Sequence, residues 1–134
     1  MGLAELSLGD ASLITATFLF TDIEGSTSLW ESESQAMRVA LQRHNVLLSS
    51  AIERHGGCVF KTVGDAFCVT FEDAAGALEA ACQIQARLGT EKWPTRTQLR
   101  VRVALHTGAA YLSGGDYFGT TVNRVASLLA VTHG

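Results

Sequence analysis

Apolar and polar positions along this chain fall into blocks whose period shifts between that of a strand and that of a helix, and each shift marks a boundary. ITATFLF at 14–20 is β-branched and aromatic and predicts a central strand. It gives way at Thr21-Asp22, after which Glu24-Gly25-Ser26-Thr27 carry turn and helix-start chemistry. From about Ser34 to Arg54, Met37, Ala40, Leu41, Leu47, Leu48, Ala51 and Ile52 recur at helical spacing, and His55-Gly56-Gly57 supplies a stop. CVFKTV (58–63) and AFCVTF (66–71) predict two short strands about Gly64-Asp65, a hairpin. AAGALEAACQIQARL (74–88) predicts a second long helix, with Asp73 as its cap. Past Trp93-Pro94, LRVRVALHTG (99–108) predicts another strand in which Arg100 and Arg102 alternate with apolar residues. AAYLSGGDYFG reads as a strand end or short arm, and TTVNRVASLLAV (120–131) opens a third helix.

The order β–α–β–β–α–β–α predicts an α+β domain of ferredoxin-like plan, an antiparallel sheet with helices on one face. Residues 1–13 have weak periodicity and read as a lead-in, leaving 14–134 as one domain. The chain stops straight after a helix, so the last strands of a larger domain are expected beyond Gly134.

Composition narrows the partners. With 47% apolar and 17% charged residues and one Pro, the chain is globular rather than disordered. A formal charge of −3 offers no basic field for nucleic acid or an anionic membrane, so neither is expected as a partner of this domain. No apolar run approaches a membrane span, and no basic, then apolar, leader opens the chain. Cys58, Cys68 and Cys82 form no CxxC pair and read as reduced, buried thiols of a cytoplasmic protein.

Two aspartates carry the candidate chemistry. Asp22 closes the first strand in FTDIEGST, and Asp65 stands at the hairpin tip in TVGDAF. If strand and hairpin are neighbours in one sheet, both carboxylates reach the same edge. Such a pair of hard oxygen ligands suits Mg²⁺ or Mn²⁺ together with substrate phosphates. Backbone amides from Ile23 through Gly25, Ser26 and Thr27, at a helix start, would cradle those phosphates. Taken singly, each Asp is better explained as turn chemistry, and Lys61 as a strand lysine on an exposed face.

The ordered set FTDIEGST, KTVGDAF, VRVALHTG and DYFGTTVNRVA resembles the catalytic domain of the class III adenylyl and guanylyl cyclases over about residues 15–134. That resemblance implies an adenylate cyclase, making cyclic AMP and pyrophosphate from ATP with two Mg²⁺ or Mn²⁺ ions per site. It implies that Asp22, Asp65 and the main chain of Ile23 hold the metals. Lys61 and Asp116 match the family's base-selecting pair, in a pattern that favours adenine. Asn123 matches the residue that orients the ribose, and Arg102 lines up with an arginine that meets the terminal phosphates. The resemblance further implies a homodimer, in which the metal aspartates of one subunit face the base-selecting pair and Asn123 position of the other.

One position departs from the pattern. Family members usually carry an arginine four residues after this asparagine, where it steadies charge on the α-phosphate; here it is Ser127. Arg124 is one residue from Asn123 and projects about 100° away on a helix, so it is no simple substitute. Two readings therefore stand: an active cyclase slowed at this position, and a catalytically impaired module that dimerises and binds nucleotide. GGDYF at 114–118 resembles the diguanylate cyclase signature but precedes the third helix instead of forming the central hairpin. His44, His55 and His106 have no zinc-site spacing and read as surface or helix-end residues.

Overall fold

A computed structural model describes residues 11–132. Nine elements follow one another: β1 (Ser12–Ile23), α1 (Ser26–Ser32), α2 (Ser34–Arg54), β2 (Cys58–Val63), β3 (Ala66–Phe71), α3 (Ala74–Thr90), β4 (Val101–Ser113), β5 (Asp116–Phe118) and α4 (Thr120–Val131). The strands form one sheet in the order β2-β3-β1-β4-β5, with every neighbouring pair antiparallel. The predicted lead-in at 1–13 falls mostly outside the described residues, although β1 already begins at Ser12.

Local chemistry explains the boundaries. Helix α2 ends in a Schellman arrangement, with the Gly56 amide on the Glu53 carbonyl (3.2 Å) and the Gly57 amide on that of Ile52 (2.8 Å). Asp73 caps α3 as predicted, its carboxylate accepting from the Gly76 amide at 2.8 Å. The β2–β3 turn needs a positive φ at its first central position, and Gly64 supplies it at 59°.

Strand β1 is apolar on both faces, so both must be covered. Leu19 and Ile23 point into a core shared with α2 and α3 through Met37, Leu48, Ile52, Ala80 and Ile84. Phe18 and Phe20 alternate with them and enter a second core with Val125 and Leu129 of α4. The expectation of helices on one face thus holds for α2 and α3, while α4 packs against the opposite face. Gly108 lets it approach, since a Cβ there would lie 2.6 Å from the Thr121 hydroxyl.

The sheet also curls. Phe60 of β2 and Tyr117 of β5 stand on opposite outer strands, whose backbones would be about 19 Å apart in a flat sheet. Their ring centroids are nonetheless 4.7 Å apart, and both rings also meet Phe18 edge-on. The outer strands therefore converge over β1 on the α4 side.

Candidate functional site

Asp22 lies within β1, one residue before its end, where twelve-residue β1 still pairs with β4; its partner directly opposite is Arg102. Paired residues share a face, so the Arg102 guanidinium reaches back to the carboxylate. Nε donates to Oδ1 at 2.6 Å and Nη2 to Oδ2 at 2.5 Å, a two-pronged charge-assisted contact. Hydrogen bonding to Asp22 raises the Arg102 pKa above its already high value. Arg102 was expected to reach toward phosphate; here it is occupied by Asp22.

Asp65 converges on the same place from the hairpin. Its Oδ1 accepts the amide of Ile23 at 3.1 Å, drawing the β2–β3 turn to the end of β1. The two aspartates predicted to act together are thus brought to one sheet edge. That contact also corrects the predicted phosphate cradle. The Ile23 amide is taken by Asp65, and the Glu24 amide donates to the Arg100 carbonyl at 2.8 Å. Ser26 and Thr27 open α1 after Gly25, and no side chain caps that helix end. With its amide engaged, Ile23 has only its carbonyl left to offer a ligand.

These donors fit a hard divalent cation. The Asp22 carboxylate already accommodates a cation, the guanidinium, and Asp65 adds oxygen donors beside it. Among the described residues no group of three or more His, Cys, Asp or Glu could enclose a metal, so backbone and substrate oxygens must complete such a shell.

Lys61 and Asp116 meet as the sequence predicts, with Lys61 Nζ donating to Asp116 Oδ2 at 3.1 Å. A β-bulge makes this possible. Val59 pairs with Val69 and Lys61 with Cys68, leaving Phe60 as the extra residue. Both Phe60 and Lys61 consequently serve the α4 side of the sheet. The second Asp116 oxygen accepts the Tyr117 amide at 2.7 Å, which fixes the carboxylate. Cys68 lies beneath; burial pushes its thiol up, opposed by the Lys61 charge and assisted by Asp116. Neither the bulge nor the Phe18, Phe60 and Tyr117 cluster was read from the sequence, because each depends on pairing between distant segments.

Asn123 and Ser127 are both exposed on α4. Ser127 borders a depression of about 380 Å³ with His106, Arg124 and Leu128, and neither Asp22 nor Asp65 lines it. GGDYF forms the β4–β5 turn and β5, and the β2–β3 hairpin turn carries Gly64-Asp65 instead.

Two of the sequence readings for histidines and cysteines need correction. His44 is fully buried, because it occupies the core stripe of α2 between Ala40 and Leu47. His55 does stand at a helix end, with Nε2 2.7 Å from the Gln83 side chain. All three cysteines are free, yet only Cys68 is buried; Cys58 and Cys82 are exposed.

Comparisons with known proteins bear on the family and the fold. A profile of the adenylate and guanylate cyclase catalytic domain matches residues 11–133. The chain belongs to that family. Receptor-type adenylate cyclase A of Leishmania donovani is 30% identical over 88% of this cyclase domain, which covers 12% of that protein. Adenylate cyclase of Neurospora crassa is 32% identical over 88% of the domain, covering 6% of the relative. A Trypanosoma brucei adenylate cyclase, solved in its monomeric state, superposes with a TM-score of 0.83 at 26% identity, covering 90% of this chain and 69% of that one. The cyclase domain here is thus a small part of the length of these curated relatives. No helix among its described residues is long and apolar enough to cross a membrane.

Proposed function

We propose that this cyclase domain is an adenylate cyclase, converting ATP to 3′,5′-cyclic AMP and pyrophosphate. The observation that carries the choice of base is the Lys61–Asp116 pair at 3.1 Å. An ammonium beside a carboxylate offers one donor and one acceptor, which suits adenine N1 and its N6 amino group. Guanine presents the reverse pattern there, so its binding would strand buried polar groups. The relatives named adenylate cyclase point the same way.

In the reaction the ribose 3′-oxygen forms a bond to the α-phosphorus, the bond to the bridging oxygen breaks, and pyrophosphate leaves with that electron pair. Asp22, Asp65 and the Ile23 carbonyl would hold two divalent ions, Mg²⁺ or Mn²⁺. When bound, such ions neutralise the triphosphate and make the 3′-hydroxyl easier to deprotonate. The amides that open α1 at Gly25, Ser26 and Thr27 receive phosphate oxygens. Asn123 orients the ribose, and Arg102 meets the terminal phosphates.

Completion of the site by a second copy is part of the proposal. Asn123 is exposed on α4, and Leu128 and Val131 on the same helix are 43% and 74% exposed, apolar surface that a partner would cover. A cytoplasmic setting accords with the free cysteines. Ser127 favours a second reading, a slow or impaired domain that binds nucleotide and dimerises.

The test is cyclic nucleotide synthesis with Mn²⁺ and either ATP or GTP. Wild type should form cyclic AMP and little cyclic GMP. Lys61→Glu with Asp116→Cys should shift the ratio toward GTP by about tenfold or more, and Asp65→Ala should lower all synthesis. Equal use of ATP and GTP by wild type would refute the base assignment. Synthesis unaffected by Asp65→Ala would refute the metal assignment.

A further inference from the structure

Arg102 carries an interaction that a purely phosphate-binding role leaves unexplained. Both of its forward-facing nitrogens are engaged with Asp22, at 2.6 and 2.5 Å. The pair is open to solvent at its rim, with the two side chains 27% and 21% exposed. Glu24 and Asp65 add their fields to that of Asp22 around this one guanidinium. Nor is the contact needed to join the strands, because the β1–β4 ladder runs from Ser12 opposite Leu112 to Ile23 opposite Val101.

We propose that Arg102 is the exchangeable counter-ion of Asp22. It holds the carboxylate until a divalent cation arrives, yields it to that cation, and then turns its freed guanidinium to the phosphates of the nucleotide. The inference rests on the reading of Asp22 as a metal ligand. Physically it follows from charge: a guanidinium and a divalent cation on one carboxylate repel each other at close range. A single side chain therefore opposes metal binding alone and favours metal binding with a polyphosphate. By linkage, metal and nucleotide then raise each other's affinity. Rim exposure allows the exchange to occur without opening the core.

The prediction is a pair of shifts with opposite signs. Mn²⁺ alone is titrated into the full chain at low salt, with free Mn²⁺ followed by electron paramagnetic resonance. Arg102→Gln should bind Mn²⁺ about tenfold more tightly than wild type, since an exposed-rim ion pair no longer competes. Arg102→Lys, a single point charge, should fall between them and serves also if the Gln variant folds poorly. Adding Asp22→Asn to Arg102→Gln should abolish the gain. At saturating Mn²⁺, the affinity for α,β-methylene-ATP should move the other way, weakening by about tenfold in Arg102→Gln. A mere strut between strands would not produce opposite shifts.

Mn²⁺ affinity equal to or weaker than wild type in both Arg102 variants overturns this inference alone. Absence of Mn²⁺ binding in every form, wild type included, overturns the metal site along with it. Opposite shifts in a domain that makes no cyclic AMP support the exchange while removing the adenylate cyclase reading.

Discussion

The two faces of the sheet solve different problems with the same strands. On the α2 and α3 side, Leu19, Val69 and Val101 meet Leu48, Ile52 and Ile84 in a continuous apolar core, all at or near zero exposure. Its buried polar members are neutral: Thr17, whose hydroxyl shares a hydrogen bond with that of exposed Thr107 at 2.8 Å, and His44. On the α4 side the core is smaller and aromatic, and at its rim stand Arg102–Asp22 and Lys61–Asp116, all partly exposed. Ion pairs at a wet rim contribute little stability and exchange partners easily, whereas charges inside the closed face would be costly. One face therefore holds the fold, and the other is free to carry groups whose partners change.

Separating the faces by mutation gives the largest expected effect. Leu48→Ala leaves a cavity in the closed core and should destabilise the domain by about 3 kcal/mol. Urea denaturation reads this directly. Mn²⁺ affinity per folded molecule should stay at the wild-type value, because Leu48 belongs to the α2 and α3 core and not to the rim. A large loss of metal affinity with little loss of stability would break the division between the faces.

The open face has its own discriminating change at Ser127. The side chain is exposed on α4, so an arginine fits without repacking the core. If the domain is a cyclase short of one cation near the α-phosphate, Ser127→Arg should raise kcat by about tenfold or more. The effect belongs in kcat, since the charge it meets develops in the transition state. An unchanged or lower kcat would mean that this face works without a cation there, or that residue 127 does not face the reacting phosphate.

How far the sequence prefigures this arrangement depends on whether the signal is local. Helix α2 at 34–54 and strands β2 and β3 at 58–63 and 66–71 have the predicted bounds, because their apolar spacing and Gly stops are local features. Strand β1 runs to 12–23 instead of 14–20, since Ser12, Thr21 and Asp22 lack apolar signal and are strand through cross-strand pairing with β4 and, at Thr21, with β3 as well. Helix α1 was read merely as turn and helix start, its seven residues having no buried face. The motifs were enough to name Asp22, Asp65, Lys61 and Asp116; the last two do meet, and Asp65 reaches the Ile23 amide next to Asp22. The occupation of Asp22 by Arg102 lay beyond them, because it follows from cross-strand register. The bulge at Phe60 and the curl that joins β2 to β5 are likewise tertiary facts.

His44 offers the smallest and most specific probe of the closed face. Its Nδ1 bonds the Asn45 side-chain oxygen at 2.9 Å, and its Nε2 is buried without a partner in the structure described. A proton added at Nε2 would be a buried donor lacking an acceptor. Burial accordingly holds the imidazole below its ordinary pKa of 6.5, although Asn45 and the charge of Asp65 both push it up. Because the folded pKa is depressed, the unfolded chain takes up the proton first. Stability from neutral His44 is thus complete above about pH 6.5 and is lost as pH falls below it. Between pH 7 and 5.5 wild type should lose more stability than His44→Leu, which has no such proton to take up. Comparing slopes rather than absolute stabilities cancels the packing change of the substitution itself. Parallel slopes would show that His44 is protonated as easily in the folded domain as outside it, and the α2 and α3 face would then not be the dry one.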